Sequence, residues 1–385
     1  MAAWARSAVV RDDDAERALE RALAQTREPG APPTDLALLF ASAAYGASLE
    51  RLVPAAFRET GASVLVGCSG QGVIGTGTEV EGEPALSLLR LALPGTRLIS
   101  ARITQQELEA GTRFGEPEES PSGWLVFADP FHLDGDVLLA RLQRDYPRTT
   151  VVGGLASGDF GARQTFVFLN SQVYDEGAVG VGFVGPVRLY AVVSQGCTPI
   201  GRPWTVTAAT GHFLEQIGGR PAFEVLVETV RELPAQVQRR VRGNLFLGVA
   251  MDEYRETFRQ GDFLVRNILG GDPEQGVLAV GAHLSVGQTV QFQLRDRASA
   301  DEELQAMLAS AAEQLGSAAP LAALLCACNG RGVGLFGEPS HDARSVQARF
   351  GPLPVAGLFC NGEIGPVGGR LFLHGYTASI GLLVG

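Results

Sequence analysis

The chain alternates between unbroken apolar blocks and amphipathic stretches. LALLFAS (36–42) is apolar at nearly every position, as a strand buried on both faces must be. SLERLVPAAFRET (48–60) instead spaces its apolar residues like a helix. A strand running into glycines follows, VLVGCSGQGVIG (64–75), and then another strand, ALSLLRLALPG (85–95). The same order returns at WLVFADP (124–130), helical DVLLARLQRDY (136–146), TVVGGLASGDFG (150–161) and GAVGVGFVG (177–185). It returns again at LAALLCACNGRG (321–332), helical HDARSVQARF (341–350), PVAGLFCNGEIG (354–365) and TASIGLLVG (377–385).

The three central segments align without a gap. Gly67, Gly72 and Gly75 share their G-x4-G-x2-G spacing with Gly153, Gly158 and Gly161, and with Gly357, Gly362 and Gly365. One such match is cheap in a glycine-rich chain; three in the same strand–helix–strand context predict an internal triplication. Ahead of the first copy, Ser7–Val10 reads as a short strand. Asp12 to Asp14 open a helix that runs to about Arg27 and is stopped by PGAPP at 29–33. Between copies two and three, residues 197–300 differ. A helix is expected at 223–233, strands around FLGVAM and FLVRNIL, and antiparallel strands in the alternating 276–296, with a helix at Asp301–Leu315 after the region.

The expected fold class is therefore α/β: three strand–helix–strand–Gly-turn–strand repeats forming mixed sheets, with a distinct α+β module between repeats two and three. The expected division places two repeats in 1–196. The middle module (197–300) and the third repeat (301–385) then fill 197–385. The third repeat is expected to pack with the first two, because its last strands would otherwise leave open apolar edges.

Composition narrows the function. The 385 residues are 45% hydrophobic, enough for a substantial core. Lys is absent and all 31 basic side chains are Arg, which excludes a side-chain Schiff base and a Walker-type phosphate loop. A net charge of −11 argues against nucleic-acid and anionic-membrane partners. The densest basic run, Arg239, Arg240 and Arg242, reads as cations at a helix C-terminus. The five cysteines are odd in number and irregularly spaced, with no CxxC, and the five His are scattered. No disulfide framework, metal site or cofactor is expected, and the thiols are read as reduced in a cytoplasm. No signal peptide or membrane-length apolar run is seen, so a soluble protein is expected. GxGxxG occurs at 70–75, 180–185 and 332–337, but none follows a strand and opens a helix at once, and GxSxG fails at Gln71. No enzymatic motif emerges.

The third copy is richest in polar groups at strand ends, where α/β folds bind ligands. It offers Cys328, Asn329 and Arg331, then Cys360, Asn361 and Glu363, then His374, Tyr376 and Thr377. Arg331 could fork a carboxylate and Glu363 could meet an ammonium, a pairing suited to a zwitterion. The alternatives are that Arg331 and Glu363 pair with each other and that Asn361 caps a turn. Ser69, Gln71, Ser157 and Asp159 read as turn chemistry. Cys328, beside Arg331, reads either as an activated thiol or as an ordinary core cysteine.

CNGRG (328–332), FCNGEIGP (359–366) and HGYTAS (374–379) resemble the C-terminal part of the FIST family (F-box and intracellular signal transduction). SVLVGCSGQGVIG (63–75) and the LLFAS strand before it resemble its N-terminal part. GGRPAFEVL (218–226) and VGQTVQFQLRD (286–296) resemble its central segment. The resemblance spans about 35–385 and implies an FIST N-type region followed by an FIST C-type region. It implies an intracellular sensory protein binding a small ligand such as an amino acid or related carboxylated metabolite, and signalling through a separate partner. The family has no established catalytic set, so only Cys328, Arg331, Asn361 and Glu363 carry over as candidates. A protein-interaction scaffold and a thiol-dependent enzyme are the alternative readings.

Overall fold

The computed structural model describes residues 2–115, 120–159, 161–241 and 243–385. Two compact units result: one comprises the chain up to Val193 together with Leu304–Gly385, the other Ser194–Glu303. The fold is mixed α/β with several mixed sheets.

The first unit carries three six-stranded sheets. One runs in the order Trp4–Arg11, Ala85–Ala92, Leu36–Ser42, Val64–Gly70, Val167–Leu169 and Gln172–Tyr174. The second runs Arg97–Ile103, Ala178–Val184, Gly123–Ala128, Thr150–Leu155, Glu363–Val367 and Arg370–His374. The third runs Arg188–Ser194, Ala378–Val384, Pro320–Cys328, Val355–Cys360, Gly72–Gly75 and Thr78–Glu81. In each, the two middle strands are parallel and the last two form an antiparallel hairpin. That hairpin comes from elsewhere in the chain. The hairpin following Val64–Gly70 completes the third sheet, the one following Thr150–Leu155 the first, and the one following Val355–Cys360 the second.

The continuous apolar blocks are explained by two-sided burial. On Leu36–Ser42, Leu36, Leu38 and Phe40 enter a core shared by all three sheets, with Leu125, Phe127, Leu324, Cys326, Leu358 and Cys360. Ala37, Leu39 and Ala41 face the other way, against the helices Ala15–Gln25 and Leu49–Thr60. The helix Gly135–Asp145 covers the second sheet in the same manner, and His341–Phe350 the third. Asp14 and Asp134 cap two of these helices, each accepting from two N–H groups of its first turn. Ser7–Val10 proves to be the middle of the longer strand Trp4–Arg11, and the helix begins only after Asp14.

The first glycine of each repeated motif has one steric reason. A Cβ on Gly67, Gly153 or Gly357 would lie 1.8, 1.8 or 1.9 Å from the carbonyl oxygen of Leu39, Val126 or Leu325 on the parallel neighbour. Only glycine allows that approach.

In the second unit six antiparallel strands close on themselves: Trp204–Thr210, Phe213–Ile217, Val277–Val280, Phe263–Asp272, Leu245–Ala250 and Thr289–Arg295. Closure removes the open edges that such strands would otherwise present. Val206, Leu214, Leu247, Leu278 and Phe292 fill it, and Val225 of the helix Ala222–Glu232 packs on the same cluster. Arg239 and Arg240 end a second short helix, Ala235–Val241, where Arg240 pairs with Asp296. Arg242 lies outside the described residues. Among the described residues, no helix is long and apolar enough to cross a membrane.

Candidate functional site

The three parallel pairs end in equivalent turns. Where each first strand stops, its last or next residue accepts a backbone N–H two positions on. Ser42 Oγ takes Ala44 N (3.3 Å), Asp129 Oδ2 takes Phe131 N (3.2 Å), and Cys328 Sγ takes Gly330 N (3.4 Å). The glycine segments following each second strand meet one another. Ser157 N donates to Ser69 O (3.1 Å) and Asn361 N to Leu155 O (3.1 Å). The third link of this ring runs through a side chain. Gln71 N donates to Ser157 Oγ (2.7 Å), and that hydroxyl donates to Phe359 O (2.5 Å). Ser157, expected as turn chemistry, is instead a fully buried bridge between two other segments.

Most of the residues singled out in the third copy converge at the ends of Pro320–Cys328 and Val355–Cys360. Cys328 N donates to Thr377 O (2.9 Å), and Asn329 N to Cys360 O (3.1 Å). Asn329 Nδ2 donates to Asn361 Oδ1 (2.7 Å), and Asn361 Nδ2 to Ala156 O (3.1 Å). Asn329 Oδ1 is buried with no hydrogen-bond partner among the described residues. Glu363 is fully buried. Its Oε1 accepts from the Cys360 thiol (3.3 Å) and its Oε2 from Thr377 N (3.0 Å). Burial pushes the Cys360 thiol well above its ordinary value, and hydrogen bonding with Cys326 and the Glu363 charge push the same way.

Arg331 is fully buried, and its fork is filled by Asp342: Nε to Oδ2 at 2.5 Å and Nη2 to Oδ1 at 2.9 Å. A ligand carboxylate would have to displace Asp342 to use those two donors. His374 is also buried; its Nε2 lies 3.0 Å from Gly365 O, which makes that nitrogen the donor. Tyr376 is half-buried and left-handed at φ +66°, an uncommon backbone for an aromatic residue. Asp159 takes the turn role expected of it, accepting from Gly161 N and Ala162 N. An open groove of about 360 Å³ lies elsewhere in the first unit, lined by Arg148, Thr149, Tyr190 and Pro366 among others, and by none of the residues singled out from the sequence. Among the described residues, no group of three or more His, Cys, Asp or Glu is arranged to hold a metal ion.

A second polar cluster went unread in the sequence. The hairpin strand Thr78–Glu81 brings Glu79 and Glu81 against the segment 331–343. Glu81 Oε1 accepts from Val333 N (3.0 Å), and Glu79 Oε1 from Ala343 N (2.9 Å). Glu79 Oε2 is buried with no hydrogen-bond partner among the described residues. Burial, reinforced by the neighbouring Asp342 carboxylate, raises Glu79 to about 7. A carboxyl raised in the folded state stabilises fully below its unfolded value near 4.5, and that contribution is lost as pH climbs through about 7. Glu79→Gln keeps the acceptor toward Ala343 and removes the charge. It is expected to match the parent protein at pH 4–5 and to exceed its stability by about 2–3 kcal/mol at pH 8, measured by urea denaturation across pH. In the sequence, Glu79 and Glu81 alternate with apolar residues like the wet face of a hairpin. The signal that Glu79 is buried is the cross-sheet exchange, which has no local signature.

Family models match most of the chain. The FIST N domain model matches residues 35–220 and the FIST C domain model residues 222–366. The chain belongs to the FIST family. FIST domains are sensory domains of signal transduction. The FIST chain is also 38% identical over 375 residues to the uncharacterized protein Rv0628c of Mycobacterium tuberculosis, covering 96% of this chain and 97% of that relative. It is 37% identical over 376 residues to the uncharacterized protein Mb0898c of Mycobacterium bovis, covering 96% of each. The FIST C model ends just past the Asn361–Glu363 turn, so His374 and Tyr376 lie beyond the matched residues.

Proposed function

We propose that the chain is a small-ligand sensor whose site lies at the Asn329–Asn361 amide pair. The observation that carries this reading is Asn329 Oδ1, a buried acceptor with no partner among the described residues, on a side chain already oriented by Asn361. An acceptor left in that state is costly unless a ligand or water donates to it. The ammonium of an amino acid, or the N–H of a related carboxylated metabolite, supplies such a donor. Arg331 and Glu363 then serve as buried supports that fix the turn, Arg331 through Asp342 and Glu363 through Thr377 and Cys360. The three similarly ordered sheets are read as three copies of one unit, each lending its hairpin to another.

A thermal-shift screen of amino acids and carboxylated metabolites, run in reductant, tests the reading. A ligand at 100 times its Kd adds about 2.7 kcal/mol of stability. Asn329→Ala is expected to abolish the shift while leaving the unliganded melting temperature nearly unchanged. No shift with any compound, or a shift that survives Asn329→Ala, removes the site.

A protein-interaction reading draws on the second unit. Phe213 and Leu269 are 53% and 65% exposed on strands that flank Ala279. Under that reading Phe213→Ser with Leu269→Ser weakens partner capture and no metabolite alters melting.

A further inference from the structure

Four of the five cysteines lie close together, and the sensory reading uses only one of them. Cys326 and Cys328 are two apart on Pro320–Cys328, so they face the same side of the sheet. Register places Cys328 directly opposite Cys360 on the parallel neighbour. Adjacent strands are about 4.8 Å apart, inside the Cα separation that a disulfide spans. Cys68, Cys326 and Cys360 are buried in the shared core, whereas Cys328 is half-exposed at the strand end, and none of the five cysteines is in a disulfide. The pair is thus asymmetric: one sulfur reachable from solvent, one sealed behind it.

The surroundings supply the remaining chemistry. Gly330 N–H points at Cys328 Sγ from 3.4 Å. The Cys360 thiol donates to Glu363 Oε1 at 3.3 Å, which gives its proton a place to go. Burial holds Cys360 in the protonated form, so it is the thiol that waits rather than the one first oxidised. Glu363 is fully buried, with the Cys360 thiol on one carboxylate oxygen and Thr377 N on the other.

We infer that Cys328 and Cys360 form a peroxide-responsive thiol pair, with Cys328 as the attacked sulfur, Cys360 as the resolving sulfur and Glu363 as the group that takes the Cys360 proton. Hydrogen peroxide is the oxidant. In the first step an S–O bond forms at Cys328 and the O–O bond breaks. The departing hydroxide leaves as water with the thiol proton, and Cys328 becomes a sulfenic acid. In the second step Cys360 passes its proton to Glu363 and attacks the Cys328 sulfur. The S–S bond forms, the S–O bond breaks, and the hydroxide takes that proton and leaves as a second water. Two thiols and one peroxide thereby give one disulfide and two waters. The bridge locks the ends of the two parallel strands together, next to Asn329 and Asn361.

The test uses the full chain, reduced and freed of reductant, then treated with one equivalent of hydrogen peroxide. Intact mass is expected to fall by two hydrogens. Tryptic mapping is expected to join the segments 298–331 and 350–370, which contain these cysteines. The cross-link persists in Cys326→Ser and disappears in both Cys328→Ser and Cys328→Ala. In Glu363→Gln the cross-link forms more slowly, and dimedone traps more sulfenic acid at Cys328. Oxygen addition without a cross-link, a cross-link that survives both Cys328 variants, or thiols left unmodified would each overturn the pair. The ligand screen is run in reductant, so its failure leaves this result standing, and the reverse holds.

Discussion

Gly357→Ala is expected to destroy the third sheet, at a cost of at least about 4 kcal/mol, beyond what most single substitutions do. The new methyl carbon would sit 1.9 Å from Leu325 O and 2.8 Å from Leu325 C, both backbone atoms of the adjoining parallel strand. No rotamer change relieves that overlap, because neither partner is a side chain. The strands must separate, and Leu325↔Gly357 is in the middle of a ladder running from Ala323↔Val355 to Cys328↔Cys360. Close-packed interiors do not absorb such a shift locally. Gly334→Ala is the matched control. A Cβ there meets nothing within 4 Å, in the short helix Gly332–Phe336, so the change is expected to lie within about 1 kcal/mol of neutral and to favour the helix. Urea denaturation compares the two. Hydrogen exchange at Leu325–Cys328 is expected to collapse only in Gly357→Ala.

That contrast shows what local pattern can and cannot carry. The repeated glycine spacing marked Gly67, Gly153 and Gly357, and each meets a neighbouring carbonyl in the same way. Apolar runs and helical spacing located the strands and the covering helices because both follow from burial of one or two faces. The exchange of hairpins between sheets had no such marker. Strand partners are chosen by the whole fold, and Thr78–Glu81 reads the same whether its neighbour is near or far in sequence. Glu79 beside Val80 has the local pattern of a wet residue, although it is buried and accepts from Ala343 N of the helix His341–Phe350. Cys328, Asn329, Asn361 and Glu363 were found from glycine-turn chemistry, and the fold does bring them together. Asp342 was not found. An acid in the first turn of a helix is ordinary, and nothing near it in sequence says that a buried guanidinium lies against it.

Asp342→Ala is expected to cost about 3–5 kcal/mol, the usual penalty for stranding one charge of a buried pair. Asp342 and Arg331 are 1% and 0% exposed, and two hydrogen bonds of 2.5 and 2.9 Å join them. Burial alone would raise the Asp342 carboxyl. The Arg331 charge and hydrogen bonds outweigh it and hold the group down near 2. A depressed carboxyl contributes stability that is present above its unfolded value near 3.8 and lost as pH falls through about 2. The parent protein is therefore expected to lose about 2 kcal/mol from this pair between pH 5 and pH 1.5, a loss that Asp342→Ala does not show. Asp342→Asn is expected to be little better than Ala, since its amide donors would face the guanidinium. Replacing both partners separates charge from shape. Arg331→Met with Asp342→Leu removes both ions of the pair together, and such swaps are often neutral. The double variant also removes the Asp342 charge, which raises Glu79 more than Arg331 lowers it, so Glu79 ionises at lower pH there than in the parent protein. The double variant is expected to recover most of the stability lost by Asp342→Ala alone, in urea denaturation at pH 7. A double variant as unstable as the single one would mean that the pair's geometry, rather than its charge balance, holds the segment 331–343 in place. Arg331 N also donates to Cys328 O (2.8 Å), so Asp342→Ala is expected to loosen the Cys328–Asn329 turn and weaken any ligand response there. The recovery of that response in the double variant measures how far the buried ion pair, and not the turn itself, sets the shape of the site.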